Sequence, residues 1–372
     1  MLLIALNQDF IDVSDRAIEN GGYLMINRIE IRNFRCFDSL ALNGLKRFNI
    51  IVGESGSGKT AFLESLFLLS SGNPEGYFRL RKWRGFAEGN IEISGSRASF
   101  ESLFRHVFHS SDKNSMARIS ATDNIEGKRI LEIFYGSQQA LNIPLEKQEN
   151  SVRITPITFR WDADDVVTSI VLEIKDGAIR GVGSASAYPL HFLSGKNMSA
   201  KYDAVNFSEL SRALKIDEFM SVIRATFPIV QDLSLEIIAG ETLIHARLDG
   251  FSEKLPLTEL SGGINKYVSI ALAIVSNKNG VVCIDEIENG FYFKDQQLIM
   301  RSLLLLCDQF NVQMFASTHS LEFLKAIADV MESRAKDLTI LKTKFEHNVC
   351  SIRKIEGPGS ISAIEQDIEI RN

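Results

Sequence analysis

The stretch Gly53-Glu54-Ser55-Gly56-Ser57-Gly58-Lys59-Thr60 reads G-x-x-x-x-G-K-[ST], and its flanks decide the fold. An apolar run (Phe48, Ile50, Ile51, Val52) precedes it and a helical run, Ala61 to Leu69, follows, giving strand, loop and helix in that order. In such a unit the glycines let successive backbone N–H groups turn inward around a di- or triphosphate. The helix N-terminus adds its partial positive charge. Lys59 is then placed to reach the β- and γ-phosphates and the Thr60 hydroxyl to bind Mg²⁺. Without these flanks the octapeptide would read as a surface glycine turn; with them it reads as a phosphate loop.

Bulk properties frame this unit. The 372 residues are 45% apolar and 24% charged, the make-up of an ordinary soluble globular protein with room for two or three domains or one large domain with insertions. A net charge of −6 gives no global attraction to nucleic acid or anionic membrane, so any such contact needs a local basic patch. The four cysteines (Cys36, Cys283, Cys307, Cys350) lack CxxC or metal-ligand spacing and read as buried thiols in a reducing cytosol. No apolar run approaches a membrane span, so no membrane partner is expected. Residues 1–24 read as an N-terminal extension, with Met25 as an alternative start just before the first strand-like segment.

From Met25, Ile26 to Phe34 alternates apolar and polar residues as a half-buried strand does, and Leu40 to Leu42 suggests a second strand. After the phosphate loop, Leu63, Leu66, Phe67 and Ser70 fall on one helical face, and Gly72-Asn73-Pro74 ends the helix. Residues 75–85 then concentrate Arg79, Arg81, Lys82 and Arg84 beside Tyr77, Phe78 and Trp83. Basic residues among aromatics can hold a nucleic-acid backbone. The favoured reading is an amphipathic element that packs its rings inward, because acidic residues resume at Glu88 and no basic stripe follows. Between 88 and 200 the pattern is largely β, with strands expected at 90–94, Arg129 to Tyr135, Val152 to Phe159, Val167 to Lys175 and Ala178 to Val182. Asp162, Asp164 and Asp165 between two of these read as a solvated hairpin turn, with metal binding the lesser alternative. Helix returns over 203–224, with Phe207, Leu210, Leu214 and Phe219 on one face, and a hairpin turns about Gly240.

The last third supplies a second constellation. Leu260-Ser261-Gly262-Gly263 opens a helix, and the apolar run Val281 to Ile284 ends in Asp285-Glu286. Strand-end carboxylates are often only solvated charge. Following a phosphate loop, Asp285 is placed to hold Mg²⁺ and Glu286 to orient or deprotonate the attacking water. A further strand, Val312 to Ala316, ends in Ser317-Thr318-His319, and strand ends on one edge of a parallel sheet share a crevice. His319 is therefore a candidate to sense or stabilise the γ-phosphate.

The ordered set Gly53 to Thr60, Leu260 to Gly263, Asp285-Glu286 and Ser317 to His319 resembles ATPases of the ATP-binding-cassette (ABC) type. The opening Ile29-Glu30-Ile31-Arg32-Asn33-Phe34-Arg35 narrows this to the RecF-, SMC- and OLD-like branch. Roughly 200 residues separate Lys59 from Ser261 without heptads, too few for a long coiled-coil arm. The similarity is greatest to compact OLD-like ATPases, including ATPase components of antiphage systems. It implies an α/β fold, an ABC-type P-loop NTPase with a mixed sheet flanked by helices. The ATPase core would comprise 25–85 and 250–372, and 86–249 would be a β-rich insertion followed by a helical segment.

The resemblance also implies ATP and Mg²⁺ as cofactors and a head-to-tail homodimer that closes on ATP. Gly53, Glu54, Ser55, Gly56, Ser57, Gly58, Lys59 and Thr60 would hold the nucleotide in one subunit, and Ser261, Gly262 and Gly263 would complete the site from the other. Lys59, Glu286 and His319 would be catalytic, Thr60 and Asp285 would bind the metal, and Glu288 to Gly290 would line the dimer interface. No glutamine lies between Thr60 and Gln138, so the family's usual Q-loop is missing. About fifty residues follow His319, fewer than a TOPRIM nuclease domain needs, which points to a separately encoded nuclease or toxin effector. The expected role is an ATP-driven dimeric switch in phage defence or DNA maintenance. An ATP-bound scaffold with little turnover is the alternative, a transporter ATPase ranks third, and DNA contact through the 79–84 patch is not favoured.

Overall fold

In the computed structural model, residues 25–85, 97–111, 115–124, 127–136, 155–164, 166–175, 178–181, 183–195 and 199–356 are described. The extension at 1–24 and the expected strand at 90–94 lie outside them. The chain forms two compact units. The first takes the described residues within Met1–Leu45, Gly56–Tyr188 and Thr343–Ile352, the second those within Lys46–Ser55, Pro189–Lys342 and Arg353–Asn372.

In chain order, β1 (Ile26–Phe34), β2 (Phe37–Asn43) and β3 (Phe48–Val52) lead to helices α1 (Lys59–Ser70), α2 (Glu75–Trp83) and α3 (Arg97–Phe104). Strands β4 (Ala117–Asp123), β5 (Lys128–Tyr135), β6 (Ile157–Ala163), β7 (Val166–Lys175), β8 (Ala178–Arg180) and β9 (Leu190–Leu193) follow. Then come α4 (Ala200–Arg212), α5 (Ile216–Thr226), β10 (Val230–Ile238), β11 (Glu241–Leu248), β12 (Leu255–Pro256) and α6 (Gly262–Ser276). The last elements are β13 (Val281–Ile284), α7 (Gln296–Gln309), β14 (Gln313–Thr318), α8 (Leu321–Met331), β15 (Leu338–Glu346) and β16 (Val349–Glu356).

The first unit is built on an antiparallel sheet in the order β2-β1-β4-β5-β6-β7-β8. Alternation in β1 buries Ile26, Ile29, Ile31 and Phe34, and Ile29 pairs with Leu42 of β2 on one side and Ala121 of β4 on the other. The strands from 117–180 thus continue the sheet that β1 and β2 begin. The β6–β7 pairing closes at Ala163 opposite Val166, with Asp164 in the turn at φ 51, the conformation a tight hairpin demands. Asp165 lies outside the described residues.

Helix α1 departs from the one-faced pattern expected of it, because eleven of its twelve residues are buried. Its polar groups are satisfied internally. The hydroxyls of Ser65 and Ser70 donate to the carbonyls of Phe62 and Phe67, at 2.6 and 2.7 Å. The Glu64 carboxylate accepts a two-pronged Arg84 guanidinium at 2.6 and 2.9 Å and pairs with Arg35 Nε at 3.2 Å. In α2, Arg81 donates to the Leu103 carbonyl at 2.5 Å, and Arg79 lies 5.5 Å from both the Phe67 and the Trp83 ring. Arg79, Arg81 and Arg84 therefore have partners inside the fold, as the favoured packing reading expects.

The second unit centres on a six-stranded sheet, β16-β15-β3-β14-β13-β9, in which β15, β3, β14, β13 and β9 run parallel. Of its two edge strands, β9 follows from no strand pattern at 190–193, and residues 343–352 of β15 and β16 are counted with the first unit. Helix α6 is buried from Lys266 to Val275. The single helix expected over 203–224 is two. Leu214, expected on the apolar face, is 90% exposed at φ 57, and the Lys215 N–H returns to the Leu210 carbonyl at 3.2 Å. A left-handed residue closes the α4 C-terminus and resets the helical phase before α5.

Two buried carboxylates give tests. Burial pushes the Asp203 carboxyl up to about 6, against the 2.6 Å hydrogen bond it accepts from the Ser269 hydroxyl. A carboxyl raised in the fold contributes stability that is full below its unfolded value of 3.8 and lost as pH climbs through about 6. Asp203→Asn keeps an acceptor for Ser269 and removes that loss. Urea unfolding at acid and neutral pH should show a wild-type decline of about 2–3 kcal/mol from this group that the variant lacks. Glu64→Ala removes the shared acceptor of Arg84 and the mostly buried Arg35, and denaturation should register about 1–2 kcal/mol of destabilisation.

Candidate functional site

The helix-terminal half of the phosphate loop lies in the first unit. Gly58, at φ 98, precedes α1 and its carbonyl accepts the Phe62 N–H at 2.9 Å. No side chain caps this N-terminus, and its first turn holds no acidic residue. A helix N-terminus opened by a glycine and without acidic residues in its first turn favours an anion, and Lys59 is its first helical residue. Ser57 is buried, its hydroxyl bonded to Thr343 Oγ1 at 2.5 Å, whereas a side chain on Gly56 would meet only open space. Gly53, Glu54 and Ser55 continue β3 and belong to the second unit.

In the second unit, parallel register aligns the ends of four strands. Val52 pairs with Thr318, and Ile284 pairs with Ala316 and Leu193, so Gly53, His319, Asp285 and Ser194-Gly195 leave one edge of the sheet. Ser317 ties this edge together. Its hydroxyl donates to Asp285 Oδ1 at 2.5 Å and accepts the Glu286 N–H at 2.8 Å, and its carbonyl accepts the Ile287 N–H at 2.9 Å. Glu286 stands at φ 51, a left-handed conformation that costs a non-glycine residue on the order of 1–2 kcal/mol. The neighbours hold it there: Lys266 Nζ donates to the Glu286 carbonyl at 2.5 Å, and Asn289 Nδ2 donates to Oε2 at 2.6 Å.

His319 is fixed through Glu288. One carboxylate oxygen, Oε1, accepts the His319 N–H at 3.0 Å and lies 3.1 Å from its Nδ1, leaving the ring half exposed. Burial lowers the Lys266 ammonium to about 8, against the opposing pull of Glu288, Glu286 and Asp285. At the start of α6, Ser261 Oγ accepts the Ile264 N–H at 3.4 Å, Ser261 and Gly262 are exposed, and Gly263 packs on the Gly290 carbonyl. Thr60 offers a hydroxyl and Asp285 a carboxylate, the hard oxygen donors that suit Mg²⁺. Among the described residues no group of three or more His, Cys, Asp and Glu is arranged to hold a metal, and no helix is long and apolar enough to cross a membrane.

Residues 48–325, from the strand before the phosphate loop to beyond His319, match the family described as "AAA domain, putative AbiEii toxin, Type IV TA system". The chain belongs to this family. An ATP/GTP phosphatase of Helicobacter pylori is 21% identical over 336 residues, covering 83% of this chain and 89% of that protein. The DNA replication and repair protein RecF of Idiomarina loihiensis is 39% identical over 70 residues, covering 18% of each chain. The Smc head domain from Pyrococcus furiosus, solved bound to the C-terminal domain of ScpA, aligns at a TM-score of 0.48 and 14% identity over 92% of this chain and 99% of that one. The chain thus carries an AAA domain, built here on a mixed α/β fold.

Three residues of this AAA domain that hold the edge carry no motif of their own. Gly195 is needed because a Cβ there would lie 2.9 Å from Glu286 Oε2 and 3.0 Å from the Asp285 carbonyl. No pattern in the residues around it announces this glycine. Lys266 is the one charge in an otherwise neutral helix, α6. Asn289, expected at a subunit interface, bonds Glu286 of its own chain. Ser317→Ala should remove the donor to Asp285 and the acceptor for the Glu286 N–H, lowering unfolding free energy by about 2 kcal/mol in urea titrations.

Proposed function

We propose that this chain is a cytoplasmic ATP-hydrolysing switch that dimerises head to tail on ATP and controls a separately encoded effector, a nuclease or toxin, in phage defence or DNA maintenance. The observation that carries the reading is the Ser317 bridge, which fixes Asp285 and Glu286 together at a strand end of a P-loop family member. A metal ligand and a water-orienting base need such fixed neighbouring positions.

In this reading Lys59 and the first-turn amides of α1 hold the phosphates, and Thr60 and Asp285 hold Mg²⁺. Bound Mg²⁺ neutralises phosphate charge and orients the chain to be cleaved. Glu286 positions the attacking water and accepts its proton. Its carboxylate is steered by Asn289 and walled by Gly195, which restricts where that water can sit. His319 presents its ring from the same edge, oriented by Glu288. The exposed Ser261-Gly262 at the N-terminus of α6 supports a role toward a second subunit, since open amides there can meet a phosphate held elsewhere. The exposed rings of Tyr292 and Phe293, close in sequence to Gly290, add apolar surface that a dimer would cover.

The test pairs turnover with mass in solution. Glu286→Gln should lower ATP turnover by about a hundredfold or more while retaining ATP binding, and it should accumulate an ATP-dependent dimer. Wild-type protein that shows neither turnover nor ATP-dependent self-association would sink the switch reading.

A further inference from the structure

The first unit brings together two cysteines from opposite ends of the sequence. Cys36 sits in the turn between β1 and β2, and Cys350 sits in β16. The Cys350 N–H donates to the Cys36 carbonyl at 2.8 Å, which locks the two backbones side by side. Both sulfurs press on Gly58: a Cβ built on that glycine would lie 2.8 Å from Cys350 Sγ and 2.9 Å from Cys36 Sγ. The thiols therefore fill the space a side chain would need, directly under the residue that precedes Lys59. Cys36 is partly exposed and Cys350 fully buried, an arrangement in which one sulfur meets solvent and the other waits behind it.

We propose that Cys36 and Cys350 are an oxidation site: peroxide joins them in a disulfide that displaces Gly58 and weakens nucleotide binding at the phosphate loop. The effect on nucleotide rests on the ATP site proposed above; formation of the disulfide does not. In the first step the Cys36 thiolate attacks one peroxide oxygen, the O–O bond breaks, and Cys36 becomes a sulfenic acid while the other oxygen leaves as hydroxide, which takes up the proton the thiol had released and becomes water. In the second, the Cys350 sulfur attacks the sulfenic sulfur, the S–O bond breaks, and hydroxyl leaves as water with the Cys350 proton. Two thiols and one peroxide thus give one disulfide and two waters.

The surroundings suit these roles. The Cys350 thiol hydrogen-bonds to Cys36 and, with Arg35 contributing, holds Cys36 below the ordinary thiol value, whereas Cys350 is raised. Glu64, paired with Arg35, opposes the lowering. A disulfide draws its sulfurs to about 2 Å with a fixed dihedral, so the pair cannot close while both sulfurs keep their present seats under Gly58. Gly58 already holds φ 98 and caps α1, so movement there passes to Lys59 and to the helix N-terminus.

The experiment treats reduced protein with hydrogen peroxide, maps cysteine peptides with and without dithiothreitol, and measures binding of Mg-ATP. Hydrogen exchange over residues 53–62 reads the loop independently of nucleotide. Peroxide should produce a joined Cys36–Cys350 peptide, alter exchange over 53–62 and weaken ATP binding about tenfold, all reversed by dithiothreitol. Cys36→Ser and Cys350→Ser should keep their reduced-state affinity under peroxide; should burial make the second unfold, the first and the reversal in wild type still decide. A Cys36 that goes to sulfinic acid, or stays a thiol, with no joined peptide overturns the pairing. A joined peptide with unchanged exchange and affinity overturns the link to the loop. If reduced protein binds no ATP, the nucleotide reading fails, while peptide mapping and exchange still judge the thiol pair.

Discussion

Parallel pairing is the constraint on which the candidate site depends. Hydrogen bonds that set Val52 beside Thr318 and Ile284 beside Ala316 oblige the residues after each strand to emerge on one edge. Antiparallel pairing would send the post-strand segments to opposite ends and scatter Asp285, His319 and Gly53. Every position of β3, β13 and β14 is buried, the polar Asn49, Gln313, Ser317 and Thr318 included, so the sheet is a central one with both faces covered. Chemistry is confined to the strand ends because nowhere else along them can a charged side chain reach water.

At that edge one hydroxyl organises two acids. Ser317 satisfies Asp285 as a donor and Glu286 as an acceptor, so neighbouring residues with opposite demands are served by one rotor. Glu288 performs the matching duty for His319, binding its backbone and its ring with one oxygen. The carboxylates thus divide into Asp285 and Glu286, the pair that Ser317 ties together, and Glu288, which holds His319 in place.

Much of this was legible in the sequence, for a physical reason: phosphate loops and strand-end carboxylates are local, and spacing along the chain encodes them. Gly53 to Thr60, Asp285-Glu286 and the strand into Ser317 could be read directly because each needs particular residue types within a few positions. What could not be read depends on distant partners. Four residues from Leu190 to Leu193 hold too little pattern to announce a sheet edge. Nothing near Ile29 says that Ala121 will lie beside it, so strands that read as an insertion join the sheet begun at Ile26. The phase break at Leu214 was hidden because a leucine at helical spacing looks apolar-facing until its backbone turns left-handed. Helix α1 looked one-faced because Glu64, which seems to mark a solvent side, is neutralised by arginines from residues 35 and 84.

At Glu286 the backbone favours one kind of residue and the chain carries another. Its left-handed backbone would suit glycine or asparagine better, and four local hydrogen bonds are arranged to keep a glutamate in it. A lineage of this chain selected only for resistance to heat, with its chemistry relaxed, would therefore drift at this position first. The residue there reports, in a related sequence, whether the edge still has work to do.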